Sequence, residues 1–457
     1  MMGRTCSIAI LSWVSLLMDE AAAQWAPAGV PFQFLTMTSI YADPVTDGLY
    51  CFGESSLNND NNYNDAALPV YWNGQWDTLA YANGGLWYMV RYGDTLVLAG
   101  NFTELNGQSI TAVAGFSDGV WFPMGSLENF TTQRLRVLDD ELYVVGSSAT
   151  ISSPTCRGVA RWNSDEWESV GCLADPEPIV CDIIKWNGRL CITGVINLGA
   201  PGTPRNIAYL DANEDWVPIG PGLLGSISAG RSLAVYGEDL YVSGSIPIQA
   251  GNAGHGIMRW DGQQFHPVGT GLQGPDNGYV YSVGALEMQV HDGLLWAAGT
   301  FYHAGHVPAP GIATWDGAQW CGLPLGPAQE INSIEFYHDT LFATCFHFLD
   351  GVDVNCAVRY VGDTYADTCG LVLALPGPAA DRLPLRAMRR VDGTLELLGL
   401  PMGTHAVGVQ DANGRTVWEG VVRVTPDTPV LVDLPALSAA LYIFRIGTVG
   451  ALRFLGP

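Results

Sequence analysis

The chain has 457 residues, of which 48% are hydrophobic and 14% are charged. This apolar content suits a large buried core and excludes a disordered tail. The 45 acidic residues against 20 basic ones give a formal charge of -25, and Lys185 is the sole lysine. Such an acidic chain is unsuited to binding nucleic acid, or an anionic membrane through a basic patch.

The first 23 residues have the features of a secretory signal peptide. Arg4 precedes the apolar run Cys6–Met18, and small residues up to Ala23 form a cleavage site. The alternative interpretation is a buried N-terminal helix, since Asp19 and Glu20 make the end of this segment acidic. No later stretch is apolar for the roughly 18 residues that a membrane-spanning helix needs, so we expect no membrane span.

A short apolar strand motif that ends in glycine recurs along the chain. Its copies start 46 to 55 residues apart, and the last copy ends in cysteine instead of glycine. Turn pairs such as Asp47-Gly48 precede the copies and are typical of a tight hairpin, so another strand is predicted in front of each. The seven copies are Leu49–Gly53, Leu96–Gly100, Leu142–Gly146, Leu190–Gly194, Leu240–Gly244, Leu295–Gly299 and Leu341–Cys345.

A second motif, two aromatic residues around a polar turn, follows each copy after a variable loop. Tyr71–Trp76 and Trp315–Trp320 are clear examples, and Tyr360–Tyr365 is the weakest. Each unit is therefore predicted to be a four-stranded antiparallel meander. Seven such sheets arranged radially bury both of their faces, which predicts an all-β, seven-bladed β-propeller over residues 24–375.

These paired motifs resemble the repeats of secreted bacterial propellers and of the ectodomains of fungal cortical-marker proteins, over roughly residues 30–370. The segment Gln24–Gly29 is similar to Asp215–Gly220, the fourth strand of one unit. Two interpretations stay open for this segment. It closes the ring by completing the last blade, or it is an extra edge strand left from a partial repeat.

A separate module is predicted for residues 376–457. Pro376-Gly377-Pro378 interrupts the repeats, and from residue 376 onward 8 arginines stand against 7 acidic residues, in contrast to the acidic chain before it. Short alternating segments such as His405–Val409 and Leu441–Ile446 predict a small β-sandwich.

This module resembles the type A C-terminal sorting domain of the type IX secretion system of Bacteroidota. The matching residues are the turn Asp411–Arg415, the Asp433-Leu434 pair, the Leu441-Tyr442 strand and a last strand at the chain end. Ala440 stands where the family usually has glycine, and the end at Pro457 lacks the usual basic tail. The resemblance implies export by the outer-membrane secretion machinery, from the periplasm to the cell surface or the medium. A generic fibronectin-like module is the alternative.

Cysteine usage agrees with an oxidising compartment, because no C-x-x-C pair of a zinc site is present. Cys156 and Cys172 are equidistant from a turn centred on Ser164, which predicts that they face each other in a hairpin and form a disulfide. Two reduced, packed thiols are the alternative. Cys345 and Cys356 flank one loop and are the second candidate pair.

Candidate ligand-binding residues lie in equivalent loops of the last two repeats. Tyr302, His303 and His306 belong to one loop, and His347, Asp350 and Asp353 belong to the next. Together they suit a metal or a sugar. Because His303 and His347 fall in a segment that other repeats also contain, a structural role is the alternative. We predict no metal site here.

A polar loop offers oxygen ligands for calcium at Asn58, Asp60 and Asn62. It lacks the glycine of an EF-hand loop, so a polar surface loop is the alternative, and no other cofactor is predicted.

Enzymatic signatures are missing, because the chain contains no nucleophile elbow, no H-E-x-x-H motif and no phosphate-binding glycine loop. The leading hypothesis is therefore a noncatalytic secreted or cell-surface propeller that binds an extracellular protein or glycan through its loop face. The alternative is a propeller-type carbohydrate-active enzyme, a glycosidase or lyase, which a cluster of buried carboxylates with raised pKa would favour. A structural surface-layer component with a flat face is a third hypothesis.

Overall fold

The structure is a computed structural model, and it divides the chain into two compact units, residues 1–369 and 370–457. It describes residues 25–30, 39–53, 66–72, 74–125, 127, 130–147, 157–173, 175, 177–198, 206–225, 228–274, 283–323, 330–345, 348–349, 352–353, 357–361, 386–389, 395–398, 403–411, 416–424, 430–432, 441–446 and 450–455. The predicted signal peptide with Ala23, and the predicted boundary at 376, lie outside these residues. No helix in the described part is long and apolar enough to cross a membrane.

The described part of the first unit contains seven antiparallel four-stranded meanders, named sheets 1 to 7 in chain order. In sheets 1 to 6 the four strands follow one another along the chain, and each glycine-ending motif supplies the second strand, as predicted. The strands of sheets 1 to 3 are Ser39–Asp43, Gly48–Phe52, Ala66–Trp72 and Gln75–Ala82; Leu86–Tyr92, Thr95–Gly100, Val113–Ser117 and Val120–Pro123; Thr131–Leu138, Glu141–Ser147, Val159–Trp162 and Trp167–Ser169.

The strands of sheets 4 to 7 are Ile179–Trp186, Arg189–Val195, Ile207–Leu210 and Trp216–Pro218; Ala229–Tyr236, Asp239–Ser245, Ile257–Trp260 and Phe265–Pro267; Gly284–His291, Leu294–Thr300, Ile312–Trp315 and Trp320–Gly322; Ile331–Tyr337, Thr340–Cys345, Ala357–Tyr360 and Trp25–Pro27. Short additional strands form hairpins in the loops, at Glu104–Leu105 with Gln108–Ser109, at Leu272–Gln273 with His303–Ala304 and Val307–Pro308, and at Phe348–Leu349 with Val352–Asp353. One 3-10 helix covers Ile248–Ala250.

The sheets form a β-propeller, because the first strand of each sheet contacts the first strand of the next, and that of sheet 7 contacts that of sheet 1. The core lies between the faces of neighbouring sheets. Leu68 of sheet 1 packs in one cluster with Leu96 and Leu98 of sheet 2, and all three side chains are fully buried. Burial of both faces follows from this radial packing.

The glycine that ends the repeated motif is required by close backbone approach. A Cβ at Gly194 would lie 1.9 Å from the carbonyl oxygen of Ile179 on the first strand, and one at Gly146 would lie 2.1 Å from that of Thr131. Side chains are excluded at these two positions, which explains why the motif ends in glycine.

The aromatic pairs of the second motif connect neighbouring sheets. Trp162 and Trp167 face each other across the third and fourth strands of sheet 3, with ring centroids 5.3 Å apart. Trp167 Nε1 donates to the carbonyl oxygen of Met124, just after the fourth strand of sheet 2, at 2.7 Å. Trp216 and Trp320 make the same bond to the sheet before their own. In the described part, these bonds therefore tie the fourth strands of sheets 3, 4 and 6 to the sheets before them, at the outside of the ring.

The N-terminal strand closes the ring, which confirms the first of the two interpretations. Trp25–Pro27 pairs with Ala357–Tyr360 as the fourth strand of sheet 7. Trp76 Nε1 of sheet 1 then donates to the carbonyl oxygen of Ala28 at 3.0 Å, the same bond that joins other neighbouring sheets. The first and last sheets are thereby held together by a strand from the other end of the unit.

The predicted register around Ser164 is wrong by one position. Trp162 pairs with Trp167, so the turn has four residues and is centred between Ser164 and Asp165. Asn163 Oδ1 accepts hydrogen bonds from the backbone N–H groups of Asp165 and Glu166, which fixes this longer turn. Cys172 and Cys321 are each disulfide-bonded. Cys156 and Cys356, and the side chain of Cys345, lie outside the described residues, so both proposed pairings stay predictions.

The second unit contains two antiparallel sheets within its described residues. One consists of Arg386–Arg389, Leu395–Leu398 and Val430–Val432, and the other of Gly403–Asp411, Thr416–Val424, Leu441–Ile446 and Gly450–Leu455. Val409 is fully buried in this unit, whereas Val421 is 70% exposed. The longer sheet therefore has one buried and one exposed face over these strands.

Replacing Trp167 by Phe removes the hydrogen bond to Met124 but keeps an aromatic ring in place. We expect a loss of about 1–2 kcal/mol relative to the same change at Trp121, because a buried carbonyl loses its donor. Trp121 is the matched control, since it is equally buried and its Nε1 has no partner among the described residues. Urea unfolding followed by tryptophan fluorescence measures the difference, and equal losses for the two variants would contradict the proposed role of the bond.

Candidate functional site

A cavity of about 140 Å³ lies where the first strands of all seven sheets converge, and we call it the axial cavity. Its lining comes from sheet 1 through to sheet 7, namely from Ser39, Tyr88, Gln133, Arg134, Cys181, Arg231, Leu286, Glu287, Glu330 and Asn332. A second, larger cavity of about 340 Å³ adjoins sheets 1, 2, 3, 6 and 7 and includes Glu335. The propeller axis is therefore hollow and polar.

A β-bulge at the same position of the first strand shapes the axial cavity. The register of the first and second strands skips one residue in sheets 2 to 7. An unpaired bulge residue turns its side chain out of the regular alternation. The skipped residues are Trp87, Gln133, Cys181, Arg231, Leu286 and Asn332, and all but Trp87 line the cavity.

Apart from one bridge between Ile179 and Ser147, the described first strands have no second strand partner, so their outward N–H groups need other acceptors. Side chains of the preceding sheet supply them. Asp182 Oδ2 accepts from Leu233 N at 2.9 Å, Ser232 Oγ from Met288 N at 3.0 Å, and Glu287 Oε2 from Ile334 N at 3.1 Å. These polar residues therefore join neighbouring sheets.

Arg134 extends from sheet 3 across the axial cavity to sheet 6. Its guanidinium lies 3.4 Å from Asp182, donates to the carbonyl oxygen of Leu286 at 3.3 Å, and lies 5.5 Å from the ring centre of Tyr88. Asp182 is fully buried and also pairs with Arg136 at 2.9 Å. Burial alone would raise the pKa of Asp182, but the two arginines and the N–H of Leu233 lower it, so the carboxylate stays charged.

The pKa of Glu335, which lines the second cavity, is shifted upward, in contrast to that of Asp182. Burial, together with the neighbouring carboxylate of Glu287, raises the pKa of Glu335 to about 7, against a lowering by the N–H of Phe336. That N–H donates to Glu335 Oε1 at 2.9 Å. Glu335 is therefore an acid that changes charge near neutral pH.

The lining residues that remain available to a ligand are few. Among the described residues no carboxylate pairs with Arg231, whose guanidinium lies 3.9 Å from Cys181 Sγ. Burial raises the pKa of that thiol, so it stays neutral beside the arginine. Asn332 Oδ1 is buried without a hydrogen-bond partner. The cavity therefore offers hydrogen-bond donors and acceptors of three kinds: a cation at Arg231, a carboxylate at Glu330, and neutral amides at Gln133 and Asn332.

The ligand-binding residues predicted from the sequence do not line the axial cavity as far as the structure describes them. Tyr302, His303 and His306 are exposed on the hairpin that follows the second strand of sheet 6. Sheet 2 carries a similar hairpin at Glu104–Leu105 with Gln108–Ser109, which supports the structural alternative.

Of the other predicted residues, Asp353 ends a short strand of the sheet 7 hairpin. His347 and Asp350 lie outside the described residues, as do Asn58, Asp60 and Asn62 of the predicted calcium loop. No group of three metal-binding side chains occurs in the part that the structure describes.

The residues that line the axial cavity were not predicted from the sequence, because they lie in or next to the first strands and the predicted site residues lie in loops. Arg134, Arg231 and Glu287 lie in the strand that precedes each glycine-ending motif, where the surrounding residues are mostly apolar. Charged residues in a predicted buried strand were the available signal. Their convergence depended on the bulges, which the sequence does not mark.

The sequence matches no protein-family model and no curated protein. Solved structures that match this chain include YCF48 from Cyanidioschyzon merolae, 10% identical with a TM-score of 0.42, covering 74% of this chain and 98% of that one. BamB from Moraxella catarrhalis is 11% identical with a TM-score of 0.35, covering 76% and 100%. The GH43_1 enzyme from Xanthomonas citri is 11% identical with a TM-score of 0.31, covering 82% and 93%. Identities of 10 to 11% with TM-scores below 0.5 assign no function to this chain.

The raised pKa of Glu335 predicts a pH-dependent stability. An acid with a higher pKa in the folded state stabilises the fold below its unfolded pKa, near 4.5, and this contribution is lost as the pH rises to about 7. We therefore expect Glu335→Gln to melt like the unmodified protein at pH 4.5 and at a higher temperature at pH 8. Thermal unfolding across this range measures the effect. The exposed Glu104→Gln is the control, and parallel profiles for Glu335→Gln and the unmodified chain would refute the prediction.

Proposed function

We propose that the protein is a secreted or cell-surface, noncatalytic, seven-bladed β-propeller that binds a glycan or a protein. The observation that carries this proposal is the axial cavity, to which all seven sheets contribute. Its bulges lie near the start of each first strand, the end where the connections between sheets and the loops after the second strands also lie. A ligand bound there would therefore enter from the loop face.

The roles of the channel carboxylates support binding rather than catalysis. Glu287 accepts from Ile334 N and lies 4.0 Å from Arg134, and Asp182 is held by two arginines. A general acid or base needs an oxygen that reaches the substrate. In these two residues the carboxylate already holds neighbouring sheets together.

Glu335 favours the second candidate, a glycosidase or lyase. Its pKa of about 7 suits general acid catalysis, and a cavity of about 340 Å³ adjoins it. A purely structural surface-layer protein would have a flat face, and the axial cavity gives no support to that hypothesis.

A glycan array probed with the full chain, beside a screen of extracellular proteins and a broad glycosidase and lyase assay, tests the proposal. We expect a bound ligand and no turnover. Turnover that is lost in Glu335→Gln, but kept in the control Glu104→Gln, would establish the enzyme instead. Absence of any bound glycan or protein would overturn the binding function.

We also propose that residues 376–457 form a sandwich that serves as an export signal of the type IX kind, acting after the N-terminal signal peptide. The resemblance at Asp411–Arg415 and Leu441-Tyr442, and the change of charge at the boundary, support this. The strands Gly403–Asp411 and Leu441–Ile446 are neighbours in one antiparallel sheet of this unit.

Deleting residues 376–457 is expected to leave a folded propeller in the periplasm of the native host, because the compact first unit is kept. Fractionation with an antibody to the propeller measures its location, and the full chain is the control. Surface display of the shortened chain would refute the sorting role. Loss of propeller folding would show that the deletion had removed part of a blade.

A further inference from the structure

We propose that the axial cavity binds the end unit of a glycan that carries a carboxylate, a uronic acid, with Arg231 as the residue that pairs with that carboxylate. This inference rests on the proposed binding function and names the ligand class. Three observations carry it: the unpaired guanidinium of Arg231, the hydrogen-bonding lining around it, and the small volume of the cavity.

The first observation is that Arg231 differs from the other arginines of the channel. Arg91 is paired with Asp43, and Arg134 and Arg136 are paired with Asp182. Arg231 is an exposed bulge residue, aimed into the cavity by the bulge, and has no carboxylate partner among the described residues. A guanidinium binds a planar carboxylate through two parallel hydrogen bonds.

The second observation is the lining on the other sides of the cavity. Gln133 of sheet 3 and Asn332 of sheet 7 are bulge residues with amide groups, and Asn332 Oδ1 is buried without a partner. Glu330 adds a carboxylate that pairs with no basic residue in the described part. Sugar hydroxyls both donate and accept hydrogen bonds, so a single ring would satisfy these groups together.

The third observation is size and charge. A volume of about 140 Å³ is well below the roughly 300–1,000 Å³ of pockets that enclose drug-sized ligands, so one end unit fits rather than a chain. Glu287 and Glu330 in the same lining would repel a doubly charged phosphate more strongly than a carboxylate. A peptide C-terminus brings an apolar or bulky side chain, and Leu286 is the one aliphatic side chain of this lining.

Isothermal titration of the full chain with trimers of glucuronate, galacturonate and mannuronate tests the proposal. The methyl ester of each trimer keeps the hydroxyls and removes the charge. We expect at least one acid to bind, and its ester to bind at least tenfold more weakly. Arg231→Gln should weaken binding of the acid at least tenfold, about 1.4 kcal/mol, and leave the ester unchanged. Arg231→Lys should be intermediate, because the charge remains but the paired geometry is lost.

Arg259→Gln is the matched control, because this arginine belongs to the same sheet but pairs with Asp239 away from the cavity. Thermal unfolding of each variant shows that the fold is kept, and Arg231→Lys preserves the test should Arg231→Gln fail to fold. Equal binding of acid and ester, or full binding by Arg231→Gln, would overturn the proposal. Binding of a peptide with a free C-terminus, dependent on Arg231, would overturn the glycan assignment.

The failure of this inference is distinguishable from failure of the proposed function. Binding of a glycan or protein from the array that is unchanged in Arg231→Gln would leave the binding function standing and refute the role of the cavity. Absence of binding to every probe and every array component would overturn both.

Discussion

The unpaired edge of each first strand is the constraint on which the rest of the channel depends. In a propeller these edges face the axis and cannot pair with another strand, while an unsatisfied buried N–H costs about 1–3 kcal/mol. The protein satisfies them with side chains from the preceding sheet: Asp182 for Leu233, Ser232 for Met288 and Glu287 for Ile334. The polar residues at the axis are therefore structural first, and they fix how neighbouring sheets meet.

The same constraint explains why a charged network is stable in the interior. Asp182 is buried with Arg134, Arg136 and two backbone N–H groups, so its lone pairs are satisfied. Removing one partner of such a network typically costs 3–5 kcal/mol, whereas the intact pair contributes little. Its contribution is therefore geometric, because Arg134 reaches from sheet 3 to the carbonyl oxygen of Leu286 and links sheet 3 with sheet 6.

The fold was predictable from the sequence because its signals are local and repeated. In the five motifs that end at Gly100, Gly146, Gly194, Gly244 and Gly299, the glycine is dictated by a carbonyl oxygen 1.9 to 2.2 Å from any added Cβ. The tryptophan at Trp167 is dictated by its bond to the neighbouring sheet. The closing strand at Trp25 was visible because it repeats the sequence of a fourth strand. Where one residue decides the outcome, as in the turn at Asn163–Glu166, the predicted register failed.

The cavity was not predictable for a different reason. Residues such as Gln133, Arg231 and Asn332 are each unique to one sheet and reach the cavity through bulges, so no repeated pattern reveals them. The histidines His303 and His306 attracted attention because they are clustered in sequence, yet clustering in a loop does not bring side chains to the axis. Charged residues in the predicted buried strands indicate that the axis is polar. They do not indicate which of these residues lack a charged partner.

The preference for arginine at the axis also determines what the cavity offers a ligand. A lysine ammonium is a compact charge, whereas the planar guanidinium has five N–H donors in a fixed arrangement. Arg134 uses this arrangement to contact Asp182, Leu286 and the ring of Tyr88 at once, so its guanidinium is engaged by three groups of the protein. Arg231 has the same donors without those partners, and its bulge turns them toward the axial cavity. In the described part, the same side-chain type is therefore held by a carboxylate in sheet 3 and has no carboxylate partner in sheet 5, where we propose that it binds a ligand.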